Sequence, residues 1–203
     1  MNLALIFSDA AAGIERALGA AAPGDLTARK RFALHAARHG ERLFAGREPL
    51  AMCGVLAPFE LLAAAGVTAA YAEFMVASLA GTGDAAPLID AAQQLGYPTD
   101  ACTYHRAAFG LMRSGLAPVP DVLIATSAPC TGGVALIEEL ARHYRKPLFV
   151  LHLPQRQDEA AVRHVAGQLE SLLEFLGRHL GRRPGARELH RAIEQANQAR
   201  ELL

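Results

Sequence analysis

Residues 122–127, VLIATS, run apolar without alternation behind a Pro120-Asp121 turn, which marks a strand buried on both faces. Cys130, Gly132-Gly133 and a helical stretch, VALIEELARHY, follow; KPLFVLHLP is then a second run of the same kind, and residues 158–180 read as a long helix. Strands that alternate with helices predict an α/β fold, a parallel sheet flanked by helices in a Rossmann-like layer.

Upstream, PLAMCGV is a shorter apolar run, so Cys53 is expected just past a strand and just before a helix whose first turn suits Pro58. APFELLAAAGVTAAYAEFMVASLAG, residues 57–81, reads as helical stretches punctuated by Gly66. Residues 85–95 suggest another helix closed by Gly96, and the turn Tyr97-Pro98-Thr99-Asp100 leads to Cys102, which opens the helical stretch YHRAAFGLMRSG.

The first 46 residues look different. LTARKRFALHAARHGERLF, residues 26–44, has a rough helical pattern, and with the Ala-rich segment 9–21 it predicts a helical arm split at Pro23-Gly24. At the other end GRRPG, residues 181–185, breaks the chain before an amphipathic helix over 186–203. The expected organisation is an arm at 1–46, an α/β unit at 47–181, and a C-terminal helix at 182–203 leading toward a second domain beyond this chain.

Charge and cysteine usage narrow the function. Twenty basic and 20 acidic residues balance, the Arg/Lys runs are short, and aromatic residues make up 6%, so neither nucleic acid nor an anionic membrane surface is an expected partner. The N-terminal apolar run has no basic residues before it and is interrupted by Asp9 and Glu15, and no stretch is long enough to span a bilayer, so a cytoplasmic location is expected. Three widely spaced cysteines, Cys53, Cys102 and Cys130, fit no secreted disulfide scaffold and leave reduced thiols or metal ligation as the options.

All three fall at strand-to-helix or loop-to-helix junctions, where ligands of open parallel sheets collect and where helix N-termini favour thiolates. Three sulfurs around an iron-sulfur cluster leave one iron open to water or substrate. The spacing is also compatible with cysteines that only pack, as buried free cysteines commonly do.

The wording around each cysteine adds to this. Cys53-x4-Pro58-x-Glu60-Leu61-x-x-Ala64-Ala65-Gly66, Cys102-Thr103-x-x-Arg106-x-x-x-Gly110, Pro120-Asp121 ahead of Cys130, and Lys146-Pro147-x-x-x-Leu151-x-Leu153-Pro154 stand in order. Together they resemble the N-terminal part of the 2-hydroxyacyl-CoA dehydratase and benzoyl-CoA reductase family over about residues 47–203. The resemblance implies an iron-sulfur enzyme subunit with a four-iron four-sulfur cluster on Cys53, Cys102 and Cys130, one-electron radical chemistry on an acyl-CoA, and electrons from an ATP-hydrolysing activator. It also implies a homo- or heterodimer with a related subunit. A related branch carries a double-cubane cluster and reduces small molecules, and a non-catalytic α/β scaffold is the alternative from another class. The family often has a charged or polar residue after the third cysteine, where this chain has Thr131-Gly132-Gly133.

Other residues near these motifs have two readings each. Glu60, and Thr103 with Arg106 on the turn after Cys102, suit a place beside a cluster or substrate, or a helix dipole and a surface ion pair; Thr126 and Ser127 suit hydrogen bonds to cluster sulfides, or to loop backbone. His105 and His152 are candidate proton donors or ligands, although a lone histidine in such a place is more often structural. Zinc on Cys3His lacks the usual short ligand loop, and Gly132-Gly133 belongs to no phosphate-binding motif.

Overall fold

The computed structural model describes residues 2–22, 24–81 and 83–202. Four parallel strands, β1 (Leu50–Cys53), β2 (Thr68–Tyr71), β3 (Val122–Thr126) and β4 (Leu148–Leu151), form one sheet in the order β2-β1-β3-β4. Every residue of β1 and β3 is buried, as strands covered on both faces require.

Helices cover the sheet in two layers. One face packs against α3 (Phe59–Ala64) and α8 (Glu159–Leu180), with Ala51, Cys53, Leu61, Leu62, Ile124 and Leu172 in a shared core. The other packs against α4 (Ala72–Ala80), α5 (Ala85–Gln94), α6 (Thr103–Arg113) and α7 (Thr131–Tyr144), around Met52, Val76, Leu111, Leu123, Leu136 and Leu140. The terminal helix α9 (Ala186–Glu201) lies against α3, and among the described residues no helix is long and apolar enough to cross a membrane.

β2 corrects the expectation of continuous helix between Gly66 and Gly81. Alanine favours helix, yet tertiary pairing overrides so short a stretch. Gly66, at φ +64°, turns the chain out of α3, and Thr68 N–H donates to Pro49 O at 2.9 Å, so Thr68–Tyr71 lies in register beside Leu50–Cys53.

The arm consists of α1 (Leu3–Gly19) and α2 (Ala28–Ala45). The Phe7 ring lies so close over Gly40 that a Cβ there would sit 2.3 Å from it, so the missing side chain sets how tightly the two helices pack. Pro23 of the expected break lies outside the described residues, as does Leu203 at the end of the expected last helix.

The strand order places a reversal between β1 and β3. From β1 the chain moves through α3 to β2 on one side, then returns past β1 through α4, α5 and α6 to β3 and continues outward to β4. The loops leaving β1 and β3 therefore diverge to opposite faces, and in an open parallel sheet that divergence leaves a crevice at the carboxyl ends.

Candidate functional site

The crevice begins where β3 ends. Thr126 Oγ1 donates to Ala128 O at 2.9 Å, Ser127 N–H donates to Leu151 O at 3.0 Å, and Ser127 Oγ accepts from Leu153 N–H at 2.8 Å. Both side chains thus fasten the loop to itself and to the end of β4. The loop delivers Cys130, in extended conformation, to the N-cap of α7, and Cys102 stands in the same position ahead of α6. Neither thiol is used for capping, both are exposed, and the unpaired N–H groups of two first helical turns lie near them.

The two thiols border a cavity of ≈ 340 Å³ together with Gly54, Glu73, His105 and Thr126. A second cavity of ≈ 600 Å³ lies along the same wall, beside Tyr97 and Glu139, and shares Cys102, His105 and Cys130 with the first. These three residues therefore form a partition between two hollows.

Glu73, in the first turn of α4, faces His105 of α6, with Oε1 3.7 Å from Nε2. The His105 side chain is 6% exposed and that of Glu73 18%. The ring lies against the first turn of α7: a Cβ on Gly132 would stand 3.0 Å from its Nδ1 and Cε1. A Cβ on Gly133 would meet Glu73 Oε1 at 3.6 Å, His105 Nε2 at 3.9 Å and Cys130 Sγ at 4.0 Å. Glu73 Oε2 is buried without a hydrogen-bond partner, as is Arg106 Nε. Gly132 thus leaves room for the imidazole, a use that no phosphate motif would reveal, whereas a Cβ on Gly133 would make only ordinary contacts.

Cys53 is placed differently. It closes β1 with no exposed surface, in the core shared with α3 and α8, and its Sγ donates to Ala51 O at 3.6 Å. Burial, and the neighbouring Glu73 charge, push its thiol pKa far up. Gly54, the next residue, borders the cavity, so the backbone reaches the site while the sulfur does not. Among the described residues, no group of three His, Cys, Asp or Glu side chains is gathered closely enough to hold a metal ion.

The remaining candidates divide. Glu60 pairs with Arg200 of α9, whose guanidinium also lies 5.7 Å from the centre of the Phe59 ring, so Glu60 is engaged in holding α9 to α3. Thr103 is exposed at the start of α6. His152 is exposed and exchanges backbone hydrogen bonds with the Gln168 amide. Glu73 escaped sequence reasoning because it sits in an Ala-rich stretch with no motif, and nothing local links it to His105.

A search among curated proteins gives no match. A family model does match: residues 55–203, which include Cys102, Cys130, Glu73 and His105 and begin two positions after Cys53, fit the model described as 2-hydroxyglutaryl-CoA dehydratase, D-component. That span is well over half of the chain, it agrees with the resemblance carried by the four motifs, and it covers all but the first strand of the sheet. The chain therefore belongs to the family of the 2-hydroxyglutaryl-CoA dehydratase D-component.

Proposed function

We propose that this protein is an iron-sulfur subunit of a 2-hydroxyacyl-CoA dehydratase. The observation that carries the reading is the meeting of Cys102 and Cys130, each at a helix N-cap, on one cavity at the point where strand order reverses. The chemistry of the donor set suits a four-iron four-sulfur cluster, and the position of two donors does too. Cys53 fits only after its thiol leaves the Ala51 carbonyl and turns from the core toward the cavity that Gly54 already borders. Cys102, Cys130 and Cys53 in that order would hold the group.

When bound, such a cluster supplies low-potential single electrons and an iron without a protein thiolate. The chain's own part is to orient and to exclude water. Two helix N-termini favour negative charge in the cavity, the loop fastened by Thr126 and Ser127 holds Cys130 in place, and Phe74 and Tyr104 line the same hollow. Acyl-CoA as substrate, an ATP-hydrolysing activator as electron source and a related subunit as partner follow from the family reading. We keep the division into an arm at 1–46, a cluster-binding unit at 47–181 and a helix at 182–203 as part of the same reading.

Anaerobic reconstitution with iron and sulfide, followed by metal and sulfide counts and an electronic spectrum, tests the reading. The wild type is expected to take up four irons per chain, and Cys102→Ala and Cys130→Ala to lose most of that iron. A wild type that stays colourless, or variants that load as it does, would overturn it.

A further inference from the structure

We infer that the helical arm and α4 enclose a second binding site, one for an uncharged alkyl chain of about ten carbons. It meets the smaller cavity beside Cys102 and Cys130 only at Phe74, and most of its wall comes from residues ahead of the span that the family model matches.

α1 and α2 are held together where the Phe7 ring rests on Gly40 and where Arg38 pairs with Glu15. Beside those contacts the two helices turn small side chains, Ala10 from one and Ala33, Ala36 and Ala37 from the other, to a hollow of ≈ 290 Å³. Met75 and Leu79 of α4 and Leu111 of α6 complete it. Leu3, Leu43, Met75 and Leu111 are buried, whereas Ile6 and Phe74 are about half exposed, so the hollow has a closed floor and an open mouth.

Its lining suits neither water nor an ion. Water in a cavity needs about two to four polar partners. Ser78 Oγ already donates to Phe74 O at 3.1 Å, and His39 Nε2 lies 2.9 Å from Ala69 O. Among the described residues the lining holds no lysine or arginine, and its one carboxylate, Asp84, is exposed. An anionic head drawn inside would lose its water and meet no counter-charge. An alkyl chain has no such loss, and it gains dispersion contacts with every wall.

Size sets the length. An apolar cavity of ~150 Å³ takes one benzene ring, so about twice that volume holds roughly ten to twelve carbons. The small residues keep this space open: leucine has nearly the helix preference of alanine, and at Ala33 or Ala36 it would fill the hollow.

Calorimetric titration of the full chain with 1-decanol and with decanoate, followed by thermal unfolding in their presence, provides the test. At free concentrations about tenfold above its Kd, 1-decanol should raise Tm by roughly 3–6 °C. Decanoate at neutral pH should bind at least about tenfold more weakly. Ala36→Leu should abolish decanol binding while its own Tm matches or exceeds that of the wild type. Ala33→Leu, on the same wall, gives the same reading where Ala36→Leu does not fold. Decanol that leaves Tm unchanged, or that stabilises the wild type and a folded leucine variant alike, overturns the inference. Equal binding of decanoate does so too. A wild-type dimer that either leucine variant dissociates, with no heat from decanol, assigns the hollow to a second copy of the chain and also overturns it.

Discussion

The three cysteines of this chain differ in what surrounds them, and that difference is measurable before any metal is added. Cys102 and Cys130 are exposed at helix N-caps, whereas Cys53 is wholly buried and its thiol is held far above its ordinary pKa by burial and by Glu73. Reaction with iodoacetamide requires access and thiolate. Brief anaerobic labelling of the metal-free chain near neutral pH, read by peptide mass spectrometry, should modify Cys102 and Cys130 and spare Cys53 until denaturant is added. Equal labelling of all three in the native chain would show that Cys53 already visits the cavity. The junction positions of these residues were legible in the sequence because strand and helix patterns flank them. The direction in which Cys53 points was not, because β1 is buried on both faces: Leu50 and Met52 pack toward α4–α7, Ala51 and Cys53 toward α3 and α8. With apolar residues on both sides, no alternation remains from which to read a facing.

At the scale of elements, α6 matters most, since it carries Cys102 at its start and His105 one turn in. Its seat is fixed by Gly110, where a Cβ would lie 1.9 Å from Leu88 O and 2.7 Å from Leu88 C, against the backbone of α5. Backbone cannot yield as a side-chain tip can, so Gly110→Ala must push the helices apart. The expected loss is about 3 kcal/mol, a fall in Tm of roughly 6–12 °C for a chain of this size. Thermal unfolding followed by circular dichroism measures it, and a fall of less than about 2 °C would mean that α5 and α6 separate without cost. Gly110 was visible in the motif around Cys102; its reason, a neighbour that arrives from α5, was not. β2 was missed for a related cause: Thr68–Tyr71 is a strand through its pairing with β1, while its Ala-rich sequence favours helix. Glu73 lay hidden behind that same misreading, because its meeting with His105 depends on the turn from β2 into α4.

For the molecule as a whole, the arm and the sheet meet at the edge strand β2, and that junction is sensitive to acid. Nε2 of His39, on α2, lies 2.9 Å from Ala69 O. Burial holds the imidazole below its ordinary pKa of 6.5, with the bond to Ala69 opposing and the Arg42 charge adding to the depression. A histidine with a lowered folded pKa binds fewer protons in the native chain than in the unfolded one. Its contribution is therefore complete above about pH 6.5 and is lost as pH falls through that value toward the depressed one. His143, lowered by burial and by Arg113, acts in the same direction. Glu48, lowered first by its hydrogen bonds from Thr68 and Arg42, adds its own loss only as pH falls below about 4.5. Between pH 7 and 5 the fall in Tm should thus come from histidines. His39→Gln keeps a donor for Ala69 O but removes the titration, so its Tm should decline less steeply over that range than the wild type's. A parallel decline in the two proteins would remove His39 from the account and leave the arm's attachment to β2 indifferent to pH.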